Sequence, residues 1–259
     1  MSDPSANQPF QLEPYIMHHV LDGHEWKLPF LPAIPLPSFL SLHGLMVLLC
    51  AAFLVILFTV FYRRHDRVPQ GISNVLEIFV LFIRDQIVVP CIGEEDGRKL
   101  TPLFCTFFFF ILGMNLMGMV PLFATATADI NVTAALALVT LTLMTGISLI
   151  KHGPVKFLKT FVPSGVPKPV LIILIPIEIV GFFIKPFALM IRLLANMFAG
   201  HVVILALLGL VVLLGFAAAP IIFLALFILL LEVLVSFLQA YIFTFLSAMF
   251  IGQMAHPQH

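Results

Sequence analysis

The last third of the chain limits its possible folds most. Two apolar runs, residues 169–210 and 217–251, are separated there by a short stretch containing Gly215 and Pro220. A run of about 20 apolar residues crosses a bilayer core as a helix, since a helix satisfies its own backbone in lipid. At about 1.5 Å per residue, about 41 residues in the first run reach ~61 Å and about 35 in the second reach ~52 Å, against a hydrocarbon core of ~30 Å. To fit within the core, the first helix would have to tilt by about 60°, beyond the usual range of about 0–40°. Kinking at Pro176 or Pro186, protruding ends, or shorter helices with extra turns hidden in 209–219 are the other solutions. The expected arrangement is a strongly tilted antiparallel hairpin.

The rest of the chain fits the same solvent. Hydrophobic residues make up 61% and charged residues 10% of the 259 positions, far fewer charges than the roughly 25% of soluble domains. Residues 40–62, 101–120 and 132–150 are further spans, which gives an all-α membrane protein with five membrane-embedded helices. Residues 72–89 place Asn74, Glu77, Arg84 and Asp85 on one side of a helix, the pattern of an amphipathic helix lying at the interface. Residues 93–99 read as a charged loop, 1–38 as an extracytoplasmic tail, and 39–259 as a single membrane domain. The tail shows no basic region followed by an apolar run, so neither a signal peptide nor a transit peptide is expected.

Charge also excludes and orients. A zero formal net charge without a basic block argues against nucleic acid as a partner. Cys50, Cys91 and Cys105 are scattered, and the tail histidines His18, His19, His24, His256 and His259 lack ligand spacing, so neither metal nor cofactor is expected. Arg63, Arg64, Arg67, Arg84, Arg98, Lys99, Lys151, Lys156, Lys159 and Lys168 all fall on one side of the five-span arrangement. The excess of basic residues in cytoplasmic loops then puts the N-terminus outside and the C-terminus in the cytoplasm.

Ionisable groups at bilayer depth cost about 3 kcal/mol on insertion scales and mark function by default. The first long helix contains Glu178, Lys185, Arg192, Asn196 and His201, with the first four on one face; the second contains Glu232, Ser236, Gln239 and Tyr241. Opposing Arg192 to Gln239, Asn196 to Ser236 and His201 to Glu232 puts the turn near Phe216 in every case. That is where composition also puts it. His201 and Glu232 form a pair able to titrate near neutral pH and pass protons. A structural ion pair locking the helices is the rival reading. Arg192 cannot release its proton and suits a fixed barrier. Lys185 stays open between snorkelling and function. Asn115 lies within a span. Thr127, Asp129, Asn131 and Thr133 could line an outer vestibule, with Asn131 favoured as a helix cap and Asp129 open.

The run from Ile191 to His201, with Glu178, Lys185-Pro186 and Glu232 followed by Gln239 to Phe243, resembles the signature of subunit a of F-type ATP synthases. Met114 to Met117 and Ala128 to Thr133 extend the resemblance from about residue 100 to the end. It implies a non-catalytic stator subunit facing a ring of c subunits, each with a membrane carboxylate, alongside peripheral-stalk b subunits and the rest of the complex. Arg192 would face the ring. His201, Glu232, Asn196, Gln239, Ser236 and Asn115 would belong to the outer proton path and Glu178 to the inner one, with Lys185, Asp129 and Tyr241 as further candidates. Some family members carry Glu where His201 stands and His where Glu232 stands, so the pair is exchanged here. A bacterial inner membrane is the implied location, with an energy-transducing organelle membrane as the alternative.

A proton- or sodium-coupled secondary transporter is the main competing reading, but it predicts repeated broken helices at the midplane, and only one polar helix pair is visible. A haem or quinone subunit would need paired histidines within facing spans. No Walker-type phosphate loop is present, so nucleotide hydrolysis is not expected of this chain.

Overall fold

The computed structural model describes residues 25–26, 34–35, 37, 41–61, 71–120, 123–162, 167–214 and 219–255. The protein is an all-α membrane protein. Five of its helices are long and apolar enough to cross a membrane. A two-residue antiparallel pairing of β1 (Glu25–Trp26) with β2 (Ile34–Pro35) is the described part of the N-terminal segment.

Helix α1 spans Leu42–Phe61. Helix α2 (Ile72–Phe82) continues through a π-helical segment, Ile83–Val88, into α3 (Val89–Ile92). Nothing in the composition marks the π segment. A π turn inserts extra backbone into the helix, and here Ile83, Ile87 and Val88 all face the core. On the outer side, Ile72, Val75 and Ile78 are exposed, and Arg84 pairs with Asp85 at 2.7 Å.

Helix α4 runs from Glu94 to Gly118, which corrects the charged loop expected at 93–99. Glu94, Glu95 and Asp96 occupy its first turn, where acidic groups complement the helix dipole. Arg98 and Lys99 bond back to Glu94 (2.6 Å) and Glu95 (2.9 Å) one turn earlier. The local charge pattern thus builds a helix that a hydropathy reading starts too late. The next helix, α5, extends over Ile130–Thr160, beyond the expected 132–150, with a break at Gly153 (φ 75°, ψ 167°) beside Pro154. Glycine tolerates that backbone geometry and other residues rarely do.

Helix α6 spans Lys168–Leu214 and α7 spans Ala219–Ala255, 47 and 37 residues, or about 70 and 56 Å of helix. The first exceeds its expected bounds at both ends, and the second runs past its expected end at residue 251. Pro176 and Pro186 lie inside α6, and its continuation to Leu214 removes the shorter-helix alternative. The predicted turn near Phe216 lies outside the described residues.

Helix α4 sits at the centre. Phe108 stacks on Phe79 of α2, Phe109 meets Phe58 of α1 edge to face, and Phe107 meets Phe243 of α7 likewise. Such pairs contribute about 0.5–1.5 kcal/mol each beyond their buried area. Lys151 of α5 pairs with Asp96 of α4 at one end of the bundle. The far faces of α6 and α7 remain largely uncovered and apolar, with Ile177, Ile184, Phe187, Leu226, Leu230 and Leu234 all exposed.

Candidate functional site

Helices α6 and α7 are bound to each other by polar contacts at two levels. Towards the N-terminal part of α6, Lys185 Nζ donates to Gln253 Oε1 at 2.8 Å and lies over the Phe250 ring. Sixteen residues further along, His201 Nδ1 is 3.3 Å from Glu232 Oε1. An antiparallel hairpin is what joins these pairs, because rising numbers on one helix meet falling numbers on the other. Gly200 permits the second contact. A Cβ built there would stand 2.7 Å from Glu232 Oε1 and 3.1 Å from its carboxyl carbon, inside normal contact distance.

The imidazole bridges two partners. Its Nε2 lies 2.6 Å from Thr125 Oγ1, on the segment joining α4 to α5. Thr125 in turn can donate to the Gly118 carbonyl at 3.4 Å. When it does, its oxygen is left to accept from Nε2–H. Nδ1 and Glu232 Oε1 then face each other, and a single proton placed between them would give either imidazolium with carboxylate or neutral imidazole with carboxylic acid. Net charge is the same in both states, so moving that proton does not leave a lone charge buried. Isolated buried charge is what low-polarity surroundings penalise.

Glu232 is 7% exposed, and its second oxygen, Oε2, has no hydrogen-bond partner. The same holds for both amide atoms of Asn115, Asn196 Nδ2, Gln239 Nε2 and Thr127 Oγ1, all buried. Buried polar groups are normally satisfied, so finding several unsatisfied ones on α4, α6, α7 and the α4–α5 connection is unusual. Ser236 is fully buried and directs its hydroxyl to Met119 Sδ at 3.8 Å. The register that opposes Asn196 to Ser236 and Arg192 to Gln239 therefore places these residues on facing helices without hydrogen-bonding them to each other.

Arg192 is exposed, as is Glu178 on the same helix. Among the described residues Arg192 has no ion-pair partner. Ala188, Ala195 and Ala199, one or two turns away on the same exposed side, leave its surroundings low and open. Tyr241 packs its ring against Phe82 and Phe245, about 13 Å of helix rise from Glu232, and does not join the His201 cluster.

At the α4–α5 connection the favoured cap changes identity. Asp129, not Asn131, caps α5: its Oδ1 accepts from the Asn131 backbone N–H at 2.8 Å. A carboxylate ahead of the first turn also complements the dipole. Its other oxygen, Oδ2, lies 3.4 Å from Nδ1 of buried His43 on α1. Thr125, His43 and Gln253 are not singled out by the sequence. Thr125 lies in the same polar connection as Thr127 and Asp129, which was the available signal. His43 is a lone histidine at the start of an apolar run, and nothing local marks its partner.

The chain matches the family model described as ATP synthase A chain over residues 44–252. A protein of Chloroherpeton thalassium named ATP synthase subunit a is 45% identical over an alignment covering 94% of this chain and 77% of the relative. Another of that name from Myxococcus xanthus is 41% identical over 91% of this chain and 79% of its own length. One from Anaeromyxobacter dehalogenans is 45% identical, with 81% of this chain matching 56% of that longer protein.

Proposed function

Since this chain belongs to the ATP synthase A-chain family, and so is a membrane subunit of the proton-translocating ATP synthase, we propose that it forms the two offset half-channels of that machine. In this reading α6 and α7 face a rotating ring whose carboxylates are loaded through one half-channel and unloaded through the other. A proton crosses only by riding the ring between them. The chain holds the fixed position, beside the peripheral-stalk b subunits, in a bacterial inner membrane with its N-terminus outside.

The observation carrying this reading is the His201–Glu232 contact at 3.3 Å, joining two helices that also carry buried polar atoms without hydrogen-bond partners. Such atoms suit ordered water, each molecule needing two to four polar partners. A water file ending at a titratable pair is a route for protons. Asn115, Asn196, Ser236 and Gln239 line the outer route, and Glu178, further along α6 towards the cytoplasmic end, belongs to the inner one. Lys185, engaged with Gln253, ties the helix pair together.

Arg192 is given the barrier role by its chemistry. Its guanidinium stays charged at any physiological pH, so it attracts a ring carboxylate but cannot hand a proton past it. Exposure on the uncovered side of α6, amid alanines, gives a partner helix room to approach. A charge crossing 100 mV is worth about 2.3 kcal/mol, and a leak past this point would dissipate that. The secondary-transporter alternative lacks a second matched helix pair.

The test is Glu232→Gln in the whole complex, reconstituted in vesicles. ATP-driven proton uptake should fall at least about a hundredfold, the lower bound for losing an acid–base group, with the complex intact and a small two-helix proteolipid still co-purifying. Uptake at the unaltered rate would refute the path.

A further inference from the structure

Two histidine–carboxylate contacts flank one short turn. On one side, His201 touches Glu232 and, through its other nitrogen, Thr125. On the other, His43 Nδ1 lies 3.4 Å from Asp129 Oδ2, within ion-pair distance but outside hydrogen-bond geometry. The 3-10 turn Ala126–Ala128 joins Thr125 to Asp129, held by Ala128 N–H to Thr125 O at 3.0 Å and Asp129 N–H to Ala126 O at 3.1 Å. Its middle residue, Thr127, buries a hydroxyl that has no hydrogen-bond partner. Four residues of such a turn advance the chain about 8 Å, too far for direct transfer between the pairs and short enough for one or two intermediate hydroxyl or water oxygens.

We infer that His43 and Asp129 form a second proton-transfer station, on the outer side of the His201–Glu232 station, and that α1 therefore contributes to the proton path. The inference rests on the half-channel reading above and extends it to a helix that sequence gave no reason to include. Accessibility is graded in each station. The Asp129 side chain is 11% exposed against 3% for His43, and His201 is 18% exposed against 6% for Glu232. Each pair thus has a wetter member to exchange protons and a drier one to hold them. Among the described residues, the acid facing His43 is Asp129. Helix α4, which packs on α1, has its charged residues, Glu94 to Lys99, at its opposite end, and His201 and Glu232 face each other beyond Thr125.

A purely structural role predicts something different. Asp129 already caps α5 through Oδ1, and a His43 that only braces this cap would affect assembly and thermal stability but not proton kinetics. The experiment uses the complete complex in vesicles, with ATP synthesis driven by an imposed gradient and the pH varied separately on each side. His43→Gln should slow synthesis about tenfold or more and move the midpoint of the outer-pH dependence by about one unit, leaving the inner-pH dependence in place. Thr127→Val, which keeps the shape and removes the hydroxyl, should slow synthesis in the same direction, and it serves if His43→Gln fails to assemble. An assembled complex of either variant with an unaltered rate overturns the inference, as does a slower His43→Gln complex with both pH profiles unmoved. Glu232→Gln measured in parallel separates the two levels. If it too leaves synthesis unaltered, the half-channel reading itself falls, whereas a loss confined to Glu232→Gln removes only the second station.

Discussion

At the scale of single residues, Glu232 has one carboxylate oxygen against the His201 imidazole and the other without a hydrogen-bond partner. Removing one member of a buried pair leaves the other uncompensated, at a cost of about 3–5 kcal/mol if it stays charged. A carboxyl group deprived of its imidazole neighbour also has no partner with which to exchange a proton. His201→Ala is thus expected to leave an assembled but stalled subunit, with ATP-driven proton uptake down by about 10²–10⁴-fold. Exchanging the residues, His201→Glu with Glu232→His, keeps one acid and one imidazole in contact. The double variant should recover most of the uptake that each single exchange loses, and equal loss in all three would show that the pairing is not what matters. Gly200→Ala tests the same contact sterically. Its Cβ would have to displace the carboxylate, so uptake should fall although no titratable group has changed.

At the scale of elements, antiparallel helices impose arithmetic on residue numbers, and of the three polar pairs that arithmetic suggests, His201 with Glu232 is the one seen in contact. Cysteines at positions 201 and 232, with the native thiols replaced, should be joined by a short bifunctional reagent, as should cysteines at 185 and 253. Failure at both levels in an intact complex would refute the register. Helix ends were less legible. Hydropathy loses a helix where it leaves the apolar zone, so Glu94 to Lys99 read as loop although their charges pair along a helix. Continuation of α5 past Ile150 was hidden in the same way. Thr125 and His43 were missed for another reason: their partners lie 76 and 86 residues away, and no periodicity connects them. Gly153 offers a test of the α5 break. Its φ of 75° with ψ of 167° is a region that costs other residues about 1–3 kcal/mol. Gly153→Ala should lower the thermal stability of the purified complex, and an unaltered melting profile would mean that α5 can straighten without penalty.

At the scale of the whole molecule, the design is asymmetric. Aromatic packing around α4 consolidates one side, while α6 and α7 turn long apolar faces outward, with Arg192 standing among alanines on the α6 face. A permanent cation at bilayer depth is tolerable only where something compensates it, and in the proposed reading the carboxylates of a passing ring would supply that compensation in turn. The barrier role proposed for Arg192 is tested most directly by Arg192→Ala in the intact complex. In vesicles with ATP supplied, the variant should hydrolyse nucleotide without accumulating protons, and its membranes should lose an imposed gradient faster than those of the unaltered complex. Proton accumulation at the ordinary rate, with no added leak, would contradict it.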